Sequence, residues 1–175
     1  MNLSNLVRAA VFSAAAVALG FMFILIPNVE FISITVFLSG MTLGLPWGIG
    51  VGASSMLIYS TFNPLGSGLI YFTLLLSQVI AMSFIGILGS ISIKIIKNLS
   101  STYQGIFAGF LGFFGTLIYN IFTSLAYPLS AGYSLKEVIV YCVSGILFTG
   151  THLISNTAIF LLVVPGFLRK VKLSA

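Results

Sequence analysis

Long apolar runs, broken at a few points, organise this chain. Ala9 to Ile26 is uninterrupted between Arg8 and Glu30, and Pro27-Asn28 breaks it. About 20 apolar residues suffice for one helical crossing of a bilayer. From Phe31 there is no charge until Lys94. That stretch is punctuated at Leu45-Pro46-Trp47-Gly48 and at Asn63-Pro64-Leu65-Gly66-Ser67-Gly68. Proline removes a backbone donor and glycine permits positive φ, so both sites read as turns. A loop from Lys94 to Tyr103 and another from Pro128 to Glu137 divide the rest, and Pro165-Gly166 marks the last stop. The pattern predicts six helices, at about 5–26, 31–45, 48–62, 69–93, 104–127 and 138–164. The second and third are short for full crossings: either they span a locally thinned bilayer or they form a re-entrant hairpin.

Composition narrows the class. Of 175 residues, 59% are hydrophobic and 5% charged. A soluble domain carries about a quarter charged residues, and a disordered chain is poor in apolar ones. The expectation is an all-α integral membrane protein, one transmembrane domain over residues 1–175, embedded in the lipid bilayer. No soluble domain is left over, so any nucleotide hydrolysis falls to a partner. The N-terminal run lacks a small-residue cleavage site and reads as a retained first helix, not a signal peptide.

The net charge of +5 would suggest nucleic acid in a soluble protein. Here its distribution suggests topology instead, and no nucleic-acid partner is expected. With both termini on one side, that side holds Arg8, Lys94, Lys97, Arg169, Lys170 and Lys172, six of the seven basic residues. The other side holds Lys136 and both acidic residues, Glu30 and Glu137. The positive-inside rule then puts both termini in the cytoplasm of a multi-pass plasma-membrane protein. Loops 27–30, 63–68 and 128–137 face outward. Cys142 stands alone, so no intrachain disulfide forms.

Several chemistries are missing. No predicted span carries Asp, Glu, Lys or Arg in its middle, whereas ion-coupled transporters use such residues. His152 is the only histidine and reads as lacking a carboxylate partner, which argues against a proton relay. Gly48-x-Gly50-x-Gly52 lacks the lysine of a phosphate-binding loop. There is no HExxH and no Ser/His/Asp set, so the chain does not read as an enzyme, and neither cofactor nor metal is called for. What remains is a subunit that binds something and borrows its energy, a passive channel, or a structural membrane subunit.

Ala10, Ala14 and Ala18 recur at every fourth position on the first helix. Such a row lets another helix approach closely, either within this chain or in a partner. Gly105, Gly109 and Gly112, and Gly40 with Gly44, form comparable rows. The run Arg8-Ala9-Ala10-Val11-Phe12-Ser13-Ala14-Ala15-Ala16-Val17-Ala18 resembles the first helix of the substrate-binding S components of energy-coupling factor (ECF) transporters. The resemblance extends to Ile26-Pro27-Asn28-Val29-Glu30-Phe31, to Pro46-Trp47-Gly48 and to Phe62-Asn63-Pro64-Leu65-Gly66, and so spans the chain. It implies a subunit that binds a vitamin or related small micronutrient outside. Such a subunit docks on an ECF coupling transmembrane protein joined to two cytoplasmic ATPases. It also implies that Ala10, Ala14 and Ala18 form the docking face.

Polar residues inside spans are costly and mark sites. The candidates toward the outward side are Asn28, Glu30, Tyr59, Asn63, Tyr71, Gln78, Asn120, Tyr127 and His152. Tyr71, Tyr127 and Tyr133 also fit an interfacial belt, Asn63 a turn, and Glu30 a solvated loop charge. Gln78, Asn120, His152 and Asn156 also fit as ties between helices. His152 is placed as the floor of a pocket, with Asn156 too deep to join it. With no buried Lys or Arg, the expected ligand is largely neutral and ring-containing, flavin-like or pyrimidine-like.

Overall fold

A computed structural model describes residues 3–171, which contain seven α-helices and no strand. They are α1 (Leu3–Met22), α2 (Ile32–Leu43), α3 (Leu45–Thr61), α4 (Phe72–Ile96), α5 (Ser101–Ser130), α6 (Leu135–Ser144) and α7 (Ile146–Lys170), with a 3-10 turn at Gly68–Ile70. Helices α1, α4, α5 and α7 are long and apolar enough to cross a membrane. Lys172, counted above in the basic flank, lies outside the described residues.

Helix α2 is the centre of the bundle. It packs on α1, α3, α4 and α7, and every residue from Ile32 to Met41 is buried. A helix that is apolar all round belongs inside. Its hydroxyls close onto its own turns: Thr35 donates to the Phe31 carbonyl at 2.7 Å and Ser39 to the Val36 carbonyl at 2.7 Å. With 12 residues, it extends about 18 Å, well short of a hydrocarbon core of about 30 Å.

The α2–α3 turn is tighter than the sequence pattern predicts. Gly44 alone makes it, at φ +87°, and α3 restarts at Leu45 with Pro46 in its first turn. A first-turn proline costs no intrahelical bond, because that N–H has no partner anyway. Past the turn, α2, α3 and α4 meet backbone to backbone. A Cβ on Gly40 would overlap the Gly86 carbonyl oxygen, one on Gly48 would stand 2.7 Å from that oxygen, and one on Gly52 2.6 Å from the Met82 oxygen. Glycine is required at this seam by proximity.

Two prolines read as stops lie inside helices. Pro128 is within α5, and Pro165 within α7, which continues to Lys170. Pro165 leaves the Leu161 carbonyl without its helical donor. Gly105 of α5 lies against that carbonyl, and a Cβ there would stand 2.9 Å from the oxygen. Gly109 and Gly112 face α7 one and two turns on, so this glycine row serves internal packing.

The single helix expected over 138–164 is two. α6 starts earlier because Glu137 accepts from the Ser134 backbone N–H at 2.8 Å and its hydroxyl at 2.7 Å. Ser134-Leu135-Lys136-Glu137 has the capping-box spacing, so this start was legible. Gly145, at φ −90° and ψ 4°, separates α6 from α7.

Gly40→Ala is expected to destabilise the fold by about 1–3 kcal/mol, as an overpacked site with backbone opposite it. Gly150→Ala, with nothing within 4 Å of the new methyl, is the control. Thermal unfolding in detergent should show a lowered midpoint for the first and an unchanged or raised one for the second.

Candidate functional site: a carboxylate-walled cavity

The site begins where α1 stops. Residues 23–31 make an irregular segment that carries Asn28 at φ +59°, a left-handed conformation that asparagine tolerates. Asn28 pins this segment to α7. Its Nδ2 donates to Thr151 Oγ1 at 2.9 Å, and its carbonyl accepts from the Ser155 hydroxyl.

Two residues on, Glu30 turns into the bundle. Its Oε2 accepts from the Ser33 backbone N–H at 2.9 Å, in the first turn of α2. A carboxylate there satisfies an end donor and meets the positive end of the helix dipole. Its Oε1 accepts from Asn156 Nδ2 at 2.8 Å, and His152 Nε2 stands 3.7 Å away.

A polar chain continues into the bundle. Asn156 Nδ2 also lies 3.0 Å from Thr116 Oγ1 and 3.2 Å from His152 Nε2. The opposite ring nitrogen, Nδ1, is 3.0 Å from Asn120 Oδ1, and Tyr119 meets the imidazole edge-on at 6.0 Å. An amide nitrogen has two hydrogens, and Asn156 Nδ2 has two acceptors in Glu30 Oε1 and Thr116 Oγ1, with His152 Nε2 as a third polar neighbour. Asn156 Oδ1 and Asn120 Nδ2 are buried without a protein hydrogen-bond partner.

Burial raises the Glu30 carboxyl, but the nearby His152 ring and the hydrogen bonds from Ser33 outweigh it. The group is lowered from 4.5 to about 2.

Glu30 and His152 wall a cavity of about 200 Å³, lined also by Phe23, Asn28, Tyr59 and Tyr119. A second cavity of about 250 Å³ shares Met56 and Tyr59 with it and is lined by Ser60, Asn63, Tyr71 and Gln78. Ser60 donates to Gln78 Oε1 at 2.7 Å, and Asn63 Oδ1 accepts from the Leu65 N–H at 2.9 Å as a turn residue does. Glu30 and His152 are two potential metal ligands. No group of three His, Cys, Asp or Glu forms among the described residues.

The sequence-derived candidates sort by this geometry. Asn28, Glu30, Tyr59 and His152 line the first cavity, while Asn63, Tyr71 and Gln78 line the second. Asn120 stands behind His152 as its hydrogen-bond partner. Tyr127 lines neither cavity. It joins an aromatic cluster with Tyr71, Tyr133 and Tyr141 at centroid distances of 5.8, 6.0 and 6.0 Å.

Three expectations need correction. Glu30 is tied to α2 and α7 and is not a free loop charge, His152 does have a carboxylate neighbour, and Asn156 reaches that carboxylate. All follow from one cause: the segment before short α2 dips into the bundle and carries Glu30 to the level of α7's second turn. The reading from sequence missed Thr116, Tyr119, Thr151 and Ser155. Their spacing held a signal, because Thr116, Tyr119 and Asn120 share a face of α5, as His152 and Asn156 share one of α7.

The opposite face of α1 differs in character. Ala9, Ala16 and Gly20 are buried inward, whereas Ala10, Ala14 and Ala18 are exposed. These three alanines line a groove of about 700 Å³ between α1 and α3, with Leu6, Trp47 and Ile58. Ser13 and Ser54 meet across it, Oγ to Oγ at 2.9 Å.

Ionised Glu30 stabilises the fold, because its carboxyl titrates lower in the folded chain than in the unfolded one. That contribution is complete above pH 4.5 and is lost as pH falls toward about 2. The thermal midpoint in detergent is expected to fall more steeply over that window for the native chain than for Glu30→Gln. Equal slopes would show that the carboxylate does not supply it.

Among known proteins, no family model, no curated protein and no solved structure matches this chain.

Proposed function

We propose that this chain is the substrate-binding S component of an ECF-type transporter in a prokaryotic plasma membrane. It captures a small ring-containing micronutrient outside the cell, and a partner coupling protein with two ATPases drives uptake. One observation carries the reading: a polar cavity at one end of the bundle coexists with an exposed alanine row in an apolar groove on α1. A binding subunit that borrows its energy needs both, a place for ligand and a face for the partner that moves it. Small side chains suit the second task, since they let a partner helix come close.

Six transmembrane segments with cytoplasmic termini complete the proposal. The short α2 and α3 then form a hairpin between the four long helices. Arg8, Lys94, Lys97, Arg169 and Lys170 gather at the helix ends remote from Glu30, as the positive-inside rule requires of a cytoplasmic face. Against the channel alternative stands the glycine seam of α2, α3 and α4, where backbones touch beyond the cavity.

Two experiments test this. Co-expressed with the coupling protein and ATPases of its own organism, the tagged native chain should co-purify with them, and Ala14→Leu should not while still folding as a monomer. Failure of the native chain to assemble would sink the proposal. In a Cys142→Ser background, Ala131→Cys should react with a membrane-impermeant maleimide in intact cells, and Thr102→Cys only after permeabilisation. The reverse pattern would invert the topology and put the cavity inside.

A further inference from the structure

Glu30 is one of two acidic residues in the chain, and its hydrogen-bond donors are neutral. The Ser33 backbone N–H and Asn156 Nδ2 supply them, at 2.9 and 2.8 Å. His152 Nε2 at 3.7 Å is beyond hydrogen-bond distance, and the Asn156 amide nitrogen approaches both groups more closely. No lysine or arginine pairs with Glu30 among the described residues. A carboxylate has about four acceptor positions, and two are engaged. The carboxylate therefore retains acceptor capacity on a cavity wall.

Apart from Asn28 and His152, the rest of that wall is aromatic and apolar. Phe23, Tyr59 and Tyr119 line it with Met56 and Met82, and neither Lys nor Arg is present. The neighbouring cavity, reached past Tyr59, has no charged residue at all. A half-buried carboxylate beside aromatic side chains offers both things a cationic ring needs: a counter-charge with acceptor oxygens, and negative π faces. An anion is repelled by the Glu30 carboxylate. A neutral ring gains stacking but adds no counter-charge.

We propose that this cavity takes a small organic cation, an ammonium or amidinium group borne on a ring, paired with Glu30 and set against Tyr59 and Tyr119. This rests on reading the cavity as the ligand site of the uptake subunit. It also replaces the neutral ligand expected from spans that lacked charge. The volume of about 200 Å³ admits one ring with its charged substituent. The adjoining cavity, with Gln78, Asn63 and Ser60, receives an uncharged hydrogen-bonding extension.

Three probes share one ring and differ in charge: benzamidine, benzamide and benzoate. Binding of each to the full-length chain in detergent is measured calorimetrically and by thermal midpoint. Benzamidine should bind at least about tenfold more tightly than benzamide, as expected when one charge-assisted pair separates them. Benzoate should not bind. Glu30→Gln should bring benzamidine and benzamide to within about twofold of each other, a negligible difference on the same scale. If that variant does not fold, Tyr59→Leu serves: it keeps the carboxylate, and benzamidine should weaken several-fold with the charge order preserved.

Benzamide or benzoate binding as tightly as benzamidine would overturn the proposal. So would a preference for benzamidine that survives in folded Glu30→Gln, or no saturable binding of any probe. Assembly with the coupling protein reads separately. Intact assembly with the wrong charge order removes only the cation, and failed assembly with the right order removes only the uptake subunit.

Discussion

A half-buried carboxylate set among apolar helices is the constraint around which one half of this molecule is arranged. An ionised group out of water is tolerated only when donors surround it. Its own segment holds Glu30 inward, and two places supply donors: the first turn of α2 offers the Ser33 N–H, and α7 offers Asn156. Each of these groups is positioned in turn. Asn28 ties the segment to Thr151 and Ser155, and Thr116 and His152 flank Asn156. The cavity is the space these ties leave open between the end of α1, α3 and α7.

The other half is built on the opposite principle. There α2, α3 and α4 close to backbone contact at Gly40, Gly48 and Gly86, and α5 closes on α7 through Gly105 and the carbonyl that Pro165 frees. Without water or a strong hydrophobic force between helices in lipid, close van der Waals approach is the main source of cohesion. A close-packed half supports a hollow one, so the cavity walls are held by helices anchored elsewhere. Helix α2 joins the two, its first turn in the polar network and its last turns in the glycine seam.

Helix α1 shows how one element serves two surfaces. Its inward positions are Ala9, Ala16 and Gly20, and its outward row is Ala10, Ala14 and Ala18. The residues are nearly the same size on both faces, so only their phase around the helix separates packing from presentation. Under the proposed function, that arrangement lets α1 bear the partner contact while its last turn, at Gly20, borders the ligand cavity.

The helical class, the membrane character and the turns near residues 45 and 65 were all legible in the sequence, because apolar run length and Pro/Gly punctuation are local properties. The α6 capping box was equally legible, though unread. Helix ends at Pro128 and Pro165 were misjudged because a proline's effect depends on what faces the freed carbonyl, and Gly105 is 60 residues from Pro165 in the chain. Most of the candidate residues line one of the two cavities, yet which of them meet was not local information. Glu30 and Asn156 are 126 positions apart. Their contact exists because the segment ahead of the 12-residue α2 reaches into the bundle beside α7. The sequence determined that this chain is a bundle of apolar helices with a few polar residues near one end. Only the tertiary structure decided that one of its two carboxylates turns inward, because only there do a helix terminus and the amide of another helix converge to receive it.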